Sequence, residues 1–80
     1  MIDLRQLEQF LALSQHLHFG RASRELGMGQ PALSKSIQRL EESLGAKLLD
    51  RSRRSVRLTP VGQAVAQRAQ RLMAECEDLE

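Results

Sequence analysis

Leu33, Ile37, Leu40 and Leu44 recur at steps of four, three and four, the apolar stripe of a helix running from Gln30 to about Leu44. Gly45 stops it. The opposite face carries Gln30, Pro31, Ser34, Lys35 and Gln38, with no acid among them. Pro31 fits the first turn, where its missing N–H would have no intrahelical partner, and Gly29 falls at the N-cap position. Just upstream, Arg21 to Leu26 is apolar on one side through Ala22 and Leu26, which predicts a short helix over about Phe19–Leu26. Gly27 suits a helix end that needs a left-handed residue.

The flanking segments are as legible. Asp3 and Gln6 have the spacing of a capping box, and Leu4, Leu7, Phe10, Leu11, Ser14 and Leu17 follow at helical period, predicting a first helix to about His16. His16 and His18 near its end read as surface or charge partners rather than ligands, and Phe10 and Phe19 read as core. Past Gly45, Lys47–Arg51 and Val56–Thr59 are extended candidates joined by Ser52-Arg53-Arg54-Ser55. Val56 and Leu58 alternate with Arg57 and Thr59 at the period of a half-buried strand, so the pair is expected to form a β-hairpin; an irregular surface loop is the alternative. Thr59-Pro60 opens a last helix as N-cap and first helical position. There Val61, Val65, Ala69, Leu72, Cys76 and Leu79 step by four, four, three, four and three. That seam outruns what so small a domain needs, so its distal half is expected to pack against another copy of the chain. With no C-cap signal, the pattern reads as cut mid-helix.

Two helices across a Gly27-Met28-Gly29 turn, the second with a polar acid-free face, are the means by which a protein presents a helix to the major groove of DNA. The charge distribution agrees. The formal net charge is only +2, but residues 31–62 hold Lys35, Arg39, Lys47, Arg51, Arg53, Arg54 and Arg57 against Glu41, Glu42 and Asp50. Residues 1–30 balance and residues 63–80 are net acidic, so the positive field coincides with the second helix and the hairpin. With two phenylalanines as the only aromatics, stacking platforms for single strands are missing. The lone Cys76 can form no internal disulfide, which suits a reducing cytoplasm, and no Cys/His cluster supports zinc. No apolar run reaches membrane-spanning length, and no nucleophile–base pair, metal cluster or phosphate loop supports an enzyme.

These segments, taken in order, resemble the amino-terminal domain of LysR-type transcriptional regulators. The resemblance rests on Leu4–Phe10, His18–Ala22, Gln30–Glu41, Leu44-Gly45, Leu48–Arg51 and Leu58–Gly62, and covers essentially the whole chain. It implies a mainly α fold with a small β-hairpin: a winged helix-turn-helix over residues 1–59, followed by a linker and dimerisation helix over 60–80. It further implies a bacterial, cytoplasmic homodimer on a pseudo-palindromic promoter site, with tetramers open to the full-length protein. No cofactor or metal is expected in these residues; a small-molecule effector belongs to a carboxy-terminal domain not contained in them. Ser23 stands where the family more often has alanine, Gly29 where it has serine, and Lys35 where it has arginine, so the planar guanidinium fork is lost there.

The expected interface follows. Pro31, Ser34, Lys35 and Gln38 form one strip at i, i+3, i+4 and i+7. Gln38 can pair with adenine, Lys35 can donate to guanine, Ser34 can reach a base or a phosphate, and Pro31 and Ala32 offer apolar surface to a thymine methyl. Gln30 is placed to fix a phosphate. Arg53 and Arg54 at the hairpin tip suit the minor groove or its flanking phosphates, the resemblance assigning groove insertion to Arg54. Val65, Ala69, Leu72, Cys76 and Leu79 form the expected dimer seam. Another winged-helix regulator, an architectural DNA binder, or a protein-interaction module acting through the last helix are the competing readings.

Overall fold

Local capping chemistry sets the element order. In the computed structural model, which describes residues 1–51 and 55–80, helices α1 (Leu4–His16), α2 (Phe19–Leu26) and α3 (Gln30–Leu44) precede strands β1 (Leu49–Asp50) and β2 (Arg57–Leu58) and a long helix α4 (Pro60–Leu79). The Asp3 carboxylate accepts the Gln6 N–H at 2.8 Å, and Gln6 Oε1 accepts the Asp3 N–H at 3.3 Å, so the capping box is formed. His18 caps α2, its Nδ1 accepting the Arg21 N–H at 3.0 Å. Gly27 takes φ +68° at the end of α2, a conformation a β-carbon would strain, and so lets α3 start three residues later at an angle to α2.

The three helices close on one core. Leu33, Ile37 and Leu40 of α3 are fully buried with Phe10 and Leu13 of α1, Ala22 of α2, and Leu48 just before β1. Each of the leucine, isoleucine and phenylalanine side chains contributes roughly 1.5–3 kcal/mol of burial. Ser36 Oγ donates to Gln9 Oε1 and ties α3 to α1. Ser23 is buried in α2 with its hydroxyl on Gly20 O at 3.0 Å, which satisfies a polar group that an alanine would omit.

Several expectations from periodicity shift: Leu4, first of the α1 stripe, is 50% exposed, and Val61, first of the α4 seam, 46%. Leu44, the last residue of α3, is 37% exposed. Leu17 is no part of the α1 stripe: it takes φ +51° where the chain turns into α2, which leaves its side chain exposed. Leu13, absent from the expected stripe, is instead fully buried.

The hairpin forms, but shorter than expected. β1 and β2 pair antiparallel with Leu49 opposite Leu58 and Asp50 opposite Arg57. On the Leu48 side the ladder is left half-made, because Leu48 N donates to Glu41 Oε2 rather than across the hairpin, while the return bond keeps the same register. Thr59 N donates to Leu48 O at 3.0 Å, and Thr59 Oγ1 donates to Lys47 O at 2.6 Å while accepting the Gly62 N–H at 3.0 Å. One threonine therefore caps α4 and pins its first turn to the strand. α4 then packs across α1, with Ala69 buried and Val65 and Ala66 against the core.

Gly62 makes the tightest of these contacts: a β-carbon there would lie 2.1 Å from Leu48 O. Gly62→Ala should therefore lower stability by roughly 1–3 kcal/mol, as overpacking against backbone does. Urea denaturation should show an earlier midpoint with an unchanged slope, whereas Gln63→Ala on the exposed side of the same turn should stay within about 0.5 kcal/mol.

Candidate nucleic-acid interface

Because α3 buries Leu33, Ile37 and Leu40, it must turn the other side of its first two turns outward. Gln30, Pro31, Ala32, Lys35 and Gln38 are exposed there, and Ser34 is half-buried. All six expected residues thus share one face. Pro31, Ala32, Ser34, Lys35 and Gln38 line one continuous shallow groove along it. The first turn of α3 contains no acid, and Gly29 supplies no side-chain cap, so the partial positive charge of the helix start faces outward.

A second groove meets the first at Pro31 and Ser34 and continues over Phe19, Gln30 and Arg51. The Arg51 guanidinium lies over the Phe19 ring, 5.0 Å from its centroid, and donates from Nη1 to Ser34 Oγ at 3.3 Å. Phe19 is accordingly half-buried at this surface rather than wholly in the core. Sequence patterning missed Arg51, counting it only as charge. Nothing local in the chain joins it to a serine seventeen residues earlier.

The hairpin's position against α3 depends on Glu41. Its carboxylate is buried and accepts the N–H groups of Leu48 at 2.8 Å and Leu49 at 3.3 Å. A buried carboxylate is tolerable only with such donors. In the sequence Glu41 is one acid among basic residues; in the fold it is an internal strut. On the far side, His16 Nε2 lies 3.1 Å from Glu25 Oε1, and His18 is the α2 cap, so both histidines have structural partners. Among the described residues no group of three or more metal-binding side chains occurs. Arg53 and Arg54, expected at the hairpin tip, lie with Ser52 outside the described residues.

The expected dimer seam divides. Ala69 is 1% exposed and covered by its own chain, so it has no surface to offer a second copy. Val65 is half-buried against the same core. Leu72 and Leu79 are exposed and Cys76 half-buried on the distal half of α4.

Residues 4–63 match the family model of the bacterial regulatory helix-turn-helix protein, lysR family. The chain is 53% identical over 73 residues to the SDS degradation transcriptional activation protein of a Pseudomonas species, covering 91% of this chain and 24% of that one. It thus spans about a quarter of the length of the curated relatives it matches. The crystal structure of a BenM_DBD/catB site 1 DNA complex superimposes with a TM-score of 0.94 at 38% identity, over 98% of this chain and 87% of that one. Vibrio fischeri DarR in complex with DNA gives 0.91 at 33% identity, over 98% of this chain and 27% of that one.

Removing the strut isolates its role. Glu41→Ala leaves two buried amides unpaired and should lower stability by roughly 1–3 kcal/mol. Hydrogen exchange should accelerate most at Leu48 and Leu49; uniform acceleration across the core would contradict a local role for the carboxylate.

Proposed function

The chain belongs to the lysR family of bacterial regulatory helix-turn-helix proteins, and from that premise we propose that it reads promoter DNA in sequence-specific fashion. In this reading, residues 1–59 are a winged helix-turn-helix whose helix α3 enters the major groove by its amino-terminal turns. Residues 52–55 lie at the minor groove, and residues 60–80 join two copies on a pseudo-palindromic site. The observation that carries the proposal is the strip Pro31, Ser34, Lys35 and Gln38, which faces outward from a helix anchored by fully buried leucine and isoleucine side chains. A rigidly seated helix with donors, acceptors and no acid on its open face is what base reading in the groove requires.

The strip divides into roles by chemistry. Gln38 presents an amide that can both donate to and accept from adenine, and Lys35 a cation that donates to guanine O6 or N7. Pro31 and Ala32 offer apolar surface to a thymine methyl, while Gln30 at the helix start suits a phosphate. Arg53 and Arg54 carry charge to the minor groove or the phosphates beside it, a role consistent with their place between β1 and β2 in the chain. Cytoplasmic action at the nucleoid follows from such a role, and no described helix is long and apolar enough to cross a membrane. For pairing of two copies, the exposed Leu72 and Leu79 with half-buried Cys76 form the candidate seam, Val65 adding its open edge.

Selection of bound sites from random duplex DNA tests the central proposal; recovery of no preferred sequence would overturn it. With a site in hand, Gln38→Ala should cost roughly 1–3 kcal/mol and relax preference at one base position. Arg53→Ala should instead weaken all sequences alike and lower the salt slope by about one ion. Equal losses on cognate and scrambled DNA for both variants would contradict the division of roles. For the seam, Leu72→Glu should halve the sedimentation mass and weaken binding to a two-half-site duplex more than to a single half-site. An unchanged mass would remove Leu72 from the interface.

A further inference from the structure

We infer that Arg51 is a positioning residue for base reading, biasing the Ser34 hydroxyl toward hydrogen-bond donation into the groove. The inference rests on the reading of α3 as the groove helix and specifies what Ser34 does there. A serine in a helix usually returns its hydroxyl hydrogen to a carbonyl three or four residues earlier. Ser14 does so to Leu11 O at 2.7 Å and Ser23 to Gly20 O at 3.0 Å, and Ser36 gives its hydrogen to Gln9. Ser34 differs. Among the described residues, the partner of its Oγ is Arg51 Nη1 at 3.3 Å. A guanidinium has no acceptor, so it occupies one of the hydroxyl's two lone pairs, leaves the hydrogen to point elsewhere, and polarises the O–H so that it donates better than it accepts.

Arg51 is held in that orientation from two sides. Its guanidinium sits over the Phe19 ring at 5.0 Å, where the face of the ring attracts a cation. Its strand is fixed two residues earlier, where Leu49 N donates to the buried Glu41 carboxylate. The groove lined by Phe19, Gln30, Pro31, Ser34 and Arg51 is the space into which the Ser34 hydrogen can turn. A hydroxyl so biased favours acceptor edges: guanine O6 or N7, adenine N7 or thymine O4. Its remaining lone pair, beside a cation and on an oxygen already accepting, is the poorer partner for the cytosine amino group. A free hydroxyl rotates to donate or accept, and discriminates less.

The test compares binding of the wild-type chain, Ser34→Ala, Arg51→Met, Arg51→Lys and the Ser34→Ala/Arg51→Met double variant to its selected duplex and to every single-base substitution of it. Ser34→Ala should flatten the preference at one base-pair position by roughly two- to tenfold, the range of one neutral hydrogen bond. Arg51→Met should flatten that same position, and the double variant should be no flatter than Ser34→Ala alone. Arg51→Lys keeps the charge, and so the salt slope, but should lose part of the preference because an ammonium cannot stack as a plane. It also carries the test should the methionine variant fail to fold. A preference kept in full by the Arg51 variants, a Ser34→Ala profile like wild type, or a loss equal at every position would each overturn the assignment. A wild-type chain with no preference at any position would instead overturn the DNA-reading proposal beneath it.

Discussion

The backbone of Leu48 is where the parts of this small fold are joined. Its N–H goes to the buried carboxylate of Glu41 on α3, and its carbonyl accepts the amide of Thr59, the cap of α4. The first turn of α4 approaches so closely that only a glycine at position 62 leaves that carbonyl room. The Leu48 side chain meanwhile is fully buried in the core of the three helices. An unpaired buried amide or carbonyl costs on the order of 1–3 kcal/mol, a large share of a small domain's net stability. The junction therefore holds α3, the hairpin and α4 in one relative arrangement.

That arrangement positions the candidate interface. α3 serves as core on one side and as open polar strip on the other, and a helix can do both only if its rotation about its own axis is fixed. Leu33, Ile37 and Leu40 fix it by burial, and the Ser36–Gln9 hydrogen bond adds a polar tie to α1. The Glu41 strut then brings β1 alongside, so that Arg51 reaches across to Phe19 and Ser34. The two grooves meeting at Pro31 and Ser34 are consequently built from α2, α3 and the hairpin together, not from the second helix alone.

α4 divides its apolar surface between two uses. Its first half closes the core over α1 through Val65, Ala66 and Ala69, while Leu72 and Leu79 remain exposed beyond it. A single periodic seam in the sequence thus becomes an inner part and an outer part. The division falls where α4 extends past the helix it covers.

Much of the molecule was legible before any fold was known, because it rests on chemistry between residues a few positions apart. Most starts and stops of the helices follow from Asp3 with Gln6, Gly27, Gly29 before Pro31, Gly45, and Thr59 before Pro60, all local caps and turns; the left-handed end of α1 at Leu17 and the His18 cap of α2 do not. The outward strip of α3 follows from its 3.6-residue period and the apolar stripe opposite. Tertiary structure decided the rest, since the contacts concerned span the chain. Period alone could not reveal that Ala69 is covered by its own fold, that Leu44 and Leu17 escape burial, or that Leu13 does not. It gave no sign that Glu41 is a buried strut, or that Arg51 lies on Phe19 and bonds Ser34. Charge and hydropathy are properties of single residues; which neighbour satisfies a carboxylate or orients a guanidinium is settled only when distant segments meet.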